Sequence, residues 1–295
     1  MVIQHLAYLV ALAHEGHFGR AAAACHVTQP TLSAGIRRLE QELGVPLVNR
    51  GRRYGGLTPE GERALEWAQR VLADADGLRG DIAAMRLGLT GRVRIGAVPT
   101  ALASVSLLTT PFRAAHPGVT LEVRSLTSQQ IQRGLLDSEL DAGITYLDGE
   151  PLDHVRGVPL ARERYVLLVG ADHPAAGQEA IPWAEAAELP LCLLTPDMQG
   201  RRLVDAVFRE AGAEPTPVVE TNSVTVLFAQ VRDGGLASVM ADAWLRLFAA
   251  PEDVRAVPLV APDASHLVGL VVLDREPVPL LTRALVDAAR ALPGP

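Results

Sequence analysis

The chain has 295 residues, of which 48% are hydrophobic, and this length allows two or three domains with an ample buried core. No apolar run approaches the roughly 18–20 uncharged residues of a membrane span, and the N-terminal residues lack the order of a secretory signal, so we expect a cytoplasmic protein without membrane contact. The net charge of −7 divides unevenly, since residues 1–94 carry +3 and residues 95–295 carry −10, and only the N-terminal part therefore favours contact with phosphate.

Residues 18–43 predict two helices joined by a tight polar turn. On the second helix, apolar residues recur every three or four positions and form one stripe that we expect to be buried. This stripe consists of Leu32, Ile36, Leu39 and Leu43. The alanines at 21–24 allow a close crossing with the apolar first helix, which predicts a compact three-helix unit.

The other face of the second helix predicts DNA binding. Thr28 can cap the helix and Pro30 fits its first turn, so the N-terminus can face phosphate. Guanidiniums, hydroxyls and an amide on this face suit base edges and phosphates. The predicted contacts are Gln29, Pro30, Thr31, Ser33, Ala34, Arg37 and Arg38. An ordinary alanine-rich pair of helices is the alternative.

The following segment, VPLVNRGRRYGGLTPEG, predicts a short β-hairpin formed by residues 47–50 and 54–57 around a basic turn. Arg50, Arg52 and Arg53 would then lie along a phosphate backbone or enter a minor groove. A solvated basic loop is the alternative.

A long helix is predicted over residues 59–88, with Thr58 as its cap. Gly61 stands where a capping box would have Glu, so this helix-start signal is partial. Apolar residues alternate at spacings of four and three from Ala64 to Leu89, which is typical of a coiled-coil seam and indicates a dimer partner. Packing against the protein's own domain is the alternative.

From Gly91 onward, strands and helices alternate. The pattern predicts strands at 93–97, 119–124, 141–146, 164–169, 191–194, 218–220, 237–240 and 267–273. It predicts helices at 101–115, 127–136, 200–211, 223–233 and 278–292. We therefore expect an α/β arrangement with mainly parallel sheets, divided into two subdomains near residues 161–164.

On these residues the chain resembles the LysR-type transcriptional regulators over essentially its whole length. AAAACHVTQPTLSAGIRRLEQELGVPL is similar to the family's helix-turn-helix signature, the hairpin to its wing, and the long helix to its dimerising linker. Val48 stands where the family usually has Phe, whereas the following Arg is retained as Arg50.

The resemblance implies an α+β multidomain fold. Its parts are a winged helix-turn-helix at 1–58, a dimerising linker helix at 59–90, and a two-lobed effector domain at 91–295 similar to periplasmic binding proteins. Lobe one would comprise 91–162 and 268–295, and lobe two 163–267, with two strands crossing between lobes near 161–166 and 263–268.

The implied function is a transcriptional regulator, activator or repressor, that binds double-stranded DNA and is controlled by a small effector. The expected partners are that effector, further copies of the chain in a dimer or tetramer, and RNA polymerase. The alternative is an enzyme or ligand-binding module that retains the two-lobed fold. We expect no enzyme, cofactor or metal site, because no catalytic motif is present and the histidines lack metal-binding spacing. His14 and His17 are interpreted as a polar helix terminus.

In such a fold the effector would bind between the lobes, where loops lead into helix N-termini. Backbone amides and hydroxyls there would suit a small carboxylate or other anion. The predicted effector residues are Pro99, Thr100, Ala101, Thr127, Ser128, Thr195, Asn222 and Ser223. Simple helix capping is the alternative for the polar ones. Arg201 and Arg202 could supply charge, although helix arginines are more often solvated.

A thiol switch is a third hypothesis, since some family members switch by a disulfide within the effector domain. Cys25 and Cys192 are the two cysteines of the sequence, and Cys192 alone lies in the predicted effector domain. We therefore expect both to be reduced, buried thiols.

Overall fold

The computed structural model describes residues 2–50, 54–248 and 252–294. The chain forms two compact units whose boundary in sequence lies between Gly88 and Leu89. None of the helices in the described ranges is both long and apolar enough to cross a membrane.

The first unit consists of helices followed by a hairpin and a long helix. Its elements are α1 (Ile3–Glu15), α2 (Phe18–Ala24), α3 (Gln29–Leu43), β1 (Val48–Arg50), β2 (Tyr54–Leu57) and α4 (Pro59–Leu87). The predicted helix-turn-helix, hairpin and long helix are thereby confirmed as elements of the fold. The buried stripe of α3 is also confirmed except at Leu43, which is 46% exposed at the end of the helix.

A glycine allows α1 and α3 to pack closely. Gly35 is buried on α3, and a Cβ at this position would lie 2.5 Å from Cδ2 of Tyr8 on α1. The sequence pattern had not singled out either residue. At the start of α2, His17 caps the helix, since its Nδ1 accepts a hydrogen bond from the Gly19 amide at 3.0 Å. This confirms the interpretation of His17 as part of a polar helix terminus.

The start of α4 packs against the hairpin. The Thr58 hydroxyl accepts a hydrogen bond from the Gly61 amide at 2.9 Å and donates one to the Pro46 carbonyl at 2.8 Å. A Cβ on residue 61 would collide with the carbonyl group of Leu47. Gly61 therefore replaces the capping-box Glu because no side chain fits between the helix and the hairpin backbone.

The apolar seam of α4 divides into two parts. Ala68 is fully buried in the core of the first unit, and Val71 packs against the same core. Further along, Leu78, Ile82 and Met85 are 66%, 52% and 77% exposed. Packing within the unit therefore explains the first half of the seam, while the second half stays uncovered in the single chain.

The second unit contains ten strands among its described residues. They are β3 (Gly91–Ala97), β4 (Val119–Ser125), β5 (Ala142–Tyr146), β6 (Val155–Gly170), β7 (Ile181–Pro182), β8 (Cys192–Leu194), β9 (Val219–Thr221), β10 (Ser238–Ala241), β11 (Val254–Val260) and β12 (Ser265–Leu273). Its helices are α5 (Val105–Ala115), α6 (Ser128–Leu136), α7 (Trp183–Ala186), α8 (Gln199–Glu210), α9 (Val224–Gly234), α10 (Ala243–Phe248) and α11 (Leu280–Arg290). Short 3-10 turns occupy Pro99–Ser104 and Pro174–Gly177.

The main sheet has the strand order β4-β3-β5-β12-β6-β11-β7, with β10 also paired to β6, and β8 and β9 form a separate pair. Four of these pairings are parallel, but β12 is antiparallel to β5 and β6, and β6 is antiparallel to β10 and β11. The expectation of mainly parallel sheets is therefore wrong. The long return strands β6 and β12 add antiparallel pairs where helical crossovers were assumed.

Three strands were not predicted, wholly or in part, and the two-residue β7 is one of them. The predicted strand 164–169 is the second half of β6, whose first half contains Gly157 and Pro159 among its exposed residues and so gives a weak strand signal. The residues of β11 include Pro258 and Arg255, both of which weaken a strand signal. The predicted helix 101–115 is in fact a 3-10 turn followed by α5.

The second unit has separate apolar cores on either side of β6. One core surrounds β3, β5, α5 and α11, and others surround β8, β10, α8 and α9. Strand β6 pairs with β12 up to Arg164 and with β10 from Tyr165. It therefore passes from one lobe to the other within the range predicted for a crossing strand.

Candidate functional site

The exposed face of α3 is the first candidate site. Six of the seven predicted DNA contacts on this helix are exposed and Ser33 is half-buried. The Thr28 hydroxyl lies 2.8 Å from that of Thr31 and accepts a weak hydrogen bond from the Thr31 amide at 3.4 Å. The helix N-terminus is thus formed and open, which suits phosphate binding.

The two arginines of this face leave their charge available. Arg37 donates from Nε to the Ser33 carbonyl at 3.4 Å and from Nη2 to the Ser33 hydroxyl at 3.3 Å. Among the ion pairs between described residues, none involves Arg37 or Arg38. Guanidiniums held on a helix without a carboxylate partner are suited to phosphates and to guanine edges.

The hairpin is fixed to α3 by a side chain. Glu40 Oε1 accepts hydrogen bonds from the backbone amides of Leu47 at 3.0 Å and Val48 at 3.3 Å. Val48, where the family usually has Phe, is 3% exposed and well packed. The rings of Phe18 and Tyr54 pack edge to face in the same core, with their centroids 6.2 Å apart. Val48, although smaller than Phe, therefore leaves that core intact.

The basic turn of the hairpin is described only in part. Strands β1 and β2 pair with Val48 opposite Leu57 and with Arg50 opposite Tyr54. Arg52 and Arg53 lie outside the described residues, as does the side chain of Arg50. Their contact with DNA stays a prediction.

A narrow, mainly apolar cavity in the second unit is the second candidate site. It lies between the 3-10 turn Pro99–Ser104 and the elements β8, α8, α9, β10 and α10. Its lining includes Thr100, Leu193, Gly200, Val224, Met240 and Trp244. Of the eight predicted effector residues, all of which the structure describes, Thr100 alone lines it.

The other predicted effector residues do not line this cavity. Thr127 and Gln130 form a reciprocal cap, with hydrogen bonds of 2.9 and 3.2 Å between backbone and side chain, which is the capping alternative. Ser128 is 3% exposed, Asn222 is not buried, and the Ser223 amide donates to the Thr221 hydroxyl at 3.2 Å. Pro99 and Thr195 are half-buried, and Ala101 is fully buried.

Arg201 is buried and Arg202 is half-buried, in contrast to the usual state of helix arginines. Arg201 is 8% exposed and pairs with Asp205 at 2.8 Å and Glu220 at 2.6 Å. Arg202 pairs with Glu150 at 2.7 Å. Burial opposes the charge of Arg201, but these carboxylates outweigh it and raise the pKa of its guanidinium. Both arginines are therefore neutralised within the chain.

The N-terminus of α8 joins the two lobes. Gln199 accepts a hydrogen bond from Thr145 on β5 at 2.6 Å, and Arg202 donates to Ser128 on α6 at 3.4 Å. A Cβ on Gly200 would lie 2.6 Å from Cγ2 of Thr100, so the glycine allows the close approach. These contacts hold the lobes together at the cleft.

A buried polar cluster lies beneath the cleft. Glu163 on β6 is 1% exposed and accepts hydrogen bonds from Ser104 at 3.0 Å and Tyr146 at 3.2 Å. Burial and the nearby Glu163 raise the pKa of Tyr146. The Tyr165 hydroxyl lies 2.9 Å from Nδ1 of His266, whose pKa is lowered mainly by burial. This cluster was not predicted from the sequence, although the polar positions in β6 were a signal for it.

Metal binding has no obvious place in these ranges. Within residues 2–50, 54–248 and 252–294, His, Cys, Asp and Glu side chains form no group of three suited to a metal ion.

The comparisons with known proteins agree with this geometry. The family model for the bacterial regulatory helix-turn-helix protein, lysR family, matches residues 3–62, and that for the LysR substrate binding domain matches residues 86–293. The chain belongs to the LysR family. It is therefore a DNA-binding transcriptional regulator with an effector-binding domain, which confirms the resemblance, the fold class and the function predicted from the sequence.

Within the LysR family, the chain is similar to the DNA-binding transcriptional dual regulator OxyR of Escherichia coli K12, with 30% identity over 99% of this chain and 95% of that protein. It is 34% identical to a probable hydrogen peroxide-inducible genes activator of Streptomyces viridosporus, over 79% of this chain and 75% of that one. A full-length OxyR variant from Pseudomonas aeruginosa superposes with a TM-score of 0.79 at 30% identity, covering 99% of both chains.

CbnR complexed with its target DNA shares the fold of this LysR-family chain. Its TM-score is 0.71 at 24% identity, covering 99% of this chain and 100% of that one.

Proposed function

We propose that the protein binds an operator with α3 in the major groove and the hairpin along the phosphate backbone. The exposed face of α3 carries this proposal, because its N-terminus is open and Arg37 and Arg38 have no carboxylate partner among the described ion pairs. The Arg residues predicted at the turn of the hairpin would add phosphate contacts.

Footprinting on the intergenic DNA upstream of its own gene tests this proposal. We expect protection of two spaced half-sites that weakens steeply as salt rises. Arg37→Ala should weaken operator binding by roughly 5- to 150-fold, the range for one good base contact. Arg283→Ala removes an exposed arginine from α11 and should leave binding unchanged. Equal affinity of the two variants, or no protected half-sites, would overturn the proposal.

We propose that two chains associate through α4. Leu78, Ile82 and Met85 form an exposed apolar stripe on its second half, and a coiled-coil partner would bury such a stripe. Pairing of dimers into tetramers and contact with RNA polymerase remain part of the proposal as further steps. We propose a cytoplasmic location, since the DNA of a bacterial cell lies there.

We propose that a small molecule bound between the lobes of the second unit controls DNA binding. The relatives include proteins called hydrogen peroxide-inducible genes activators. Cys192 is the single cysteine of the second unit and is fully buried in β8, and burial raises the pKa of its thiol. Control by a disulfide within that unit is therefore not what we propose, and we assign the chain no enzymatic reaction.

Peroxide treatment tests the thiol hypothesis. Operator binding of the wild type should not change with peroxide, and Cys192→Ser should behave as the wild type. A peroxide response that disappears in Cys192→Ser would restore the thiol hypothesis.

A further inference from the structure

The cleft between the lobes holds a carboxamide that belongs to the chain itself. Gln199, the first residue of α8, is 1% exposed. Its Oε1 accepts a hydrogen bond from the Thr145 hydroxyl at 2.6 Å, and its Nε2 donates one to the Glu150 carbonyl at 2.9 Å. Thr145 is completely buried. One lobe thus provides a donor and an acceptor that together recognise an amide supplied by the other lobe.

The charges around this amide site disfavour an anion. Arg202 is paired with the Glu150 carboxylate, and Arg201 with Asp205 and Glu220. Three carboxylates therefore pair with these two guanidiniums, and neither guanidinium is left to bind an anion. An anion would meet the lone pairs of the Glu150 carbonyl, and it could not donate the hydrogen bond that Nε2 donates.

An apolar cavity begins beside the amide site. Gly200, the residue after Gln199, lines it together with Leu193, Leu227 and Met240. Because a Cβ on Gly200 would lie 2.6 Å from Thr100, this end of α8 can approach the other lobe closely. A molecule with an amide head and a small apolar body would match the amide site and the adjoining cavity.

We infer that Gln199 acts as an internal latch and that the effector is a neutral molecule with a primary amide or urea group, which replaces Gln199 at Thr145 and Glu150. This inference rests on the proposed control by an effector in the cleft, and it replaces the expected anion with an uncharged class. Displacement of the latch breaks a contact between the lobes, which gives the effector a way to change their arrangement.

Gln199→Ala in the full chain tests the latch, because it removes one CH₂ and the carboxamide, a fragment that acetamide replaces. Without two buried hydrogen bonds, the variant should melt roughly 4–10 °C below the wild type. Acetamide at high concentration should recover a substantial part of this loss, and acetate at equal ionic strength should recover none. Gln129→Ala, which removes an exposed glutamine from α6, should melt as the wild type in both solutions.

Other results would overturn the inference. Equal recovery by acetate would show an anion site, and recovery by neither compound, or an unchanged melting temperature for Gln199→Ala, would show that Gln199 is not a latch. If Gln199→Ala does not fold, Gln199→Glu serves instead. Its melting temperature should fall below that of the wild type as the pH rises from 5 to 8, since only the protonated carboxyl donates a hydrogen bond. A constant difference over this range would contradict the latch.

The melting experiments contain no DNA, so they are independent of operator binding. If footprinting finds no operator while acetamide restores Gln199→Ala, the proposed function fails and the amide site remains. If the operator is bound and acetamide has no effect, the amide site fails and the regulator remains.

Discussion

The substitution Gly61→Ala should separate the hairpin from α4. The new Cβ would overlap the carbonyl oxygen of Leu47, so the two backbones must move apart by more than about 1 Å to reach normal contact. That movement stretches the 2.8 Å hydrogen bond from Thr58 to Pro46 and the 3.0 Å bond from the Thr58 amide to Leu47. Two lost hydrogen bonds and the overpacking should together cost about 2–5 kcal/mol.

Gly80→Ala is the matched control on the same helix. No atom lies within 4 Å of a Cβ built at Gly80, and its backbone is helical. The same chemical change should therefore stabilise α4 by about 0.8–1 kcal/mol, the difference in helix propensity between alanine and glycine. The two substitutions should change the free energy of unfolding in opposite directions, although both replace a glycine by an alanine within one helix.

Hydrogen exchange followed by mass spectrometry measures the exchange rates of amides in the first unit separately from those in the second. Amides of residues 46–62 should exchange faster in Gly61→Ala, and amides of the second half of α4 should exchange more slowly in Gly80→Ala. Operator affinity should fall for Gly61→Ala alone, because the hairpin moves relative to α3. Unchanged exchange at residues 46–62 in Gly61→Ala would refute the argument that contact with Leu47 requires a glycine.

Three further substitutions test other parts of the molecule. Ile82→Glu should convert the proposed dimer into monomers in sedimentation experiments without loss of helix, since it places a charge in the exposed stripe. His266→Gln should reduce the loss of stability that the wild type shows below about pH 6.5. His266 lies near Tyr165, Asp148 and Arg162, and its pKa is lowered in the folded chain, so the unfolded chain binds this proton first on acidification and is thereby favoured. Arg201→Met should destabilise by about 1–3 kcal/mol in urea unfolding, since its partners are partly screened by water, whereas Arg232→Met, which breaks an exposed pair, should have no measurable effect.

The DNA-binding unit was predictable because its signals are local. The stripe of α3, the cap at Thr28 and the paired segments of the hairpin each depend on residues that are close together in sequence. What the sequence analysis could not supply were contacts across elements, such as Gly35 against Tyr8 and Gly61 against Leu47. A glycine in a helix has no pattern that distinguishes close packing from weak propensity.

Contacts in the cleft between the lobes are harder to predict because its residues come from distant segments. Thr145 meets Gln199, and Tyr146 meets Glu163, only after β5, α8 and β6 are assembled. The predicted effector residues lie at helix starts. Helix caps and anion-binding sites both favour Ser, Thr and Asn at such positions, so the sequence does not distinguish the two roles. Arg201 shows the same difficulty, since its two carboxylate partners decide whether it is a free charge, and Glu220 lies on another element.

Strand β6 explains how a change in the cleft could reach both lobes. Glu163 and Tyr165 point to the same face of this strand because they are two residues apart, and both belong to the buried polar cluster. Between them, at Arg164, β6 ceases to pair with β12 and begins to pair with β10. Hydrogen bonds that shift at Glu163 therefore act where the sheet of one lobe gives way to that of the other. A ligand that displaces Gln199 takes over its hydrogen bond from Thr145, whose neighbour Tyr146 donates to Glu163, so the amide site is one residue away from the residue that contacts the crossing strand.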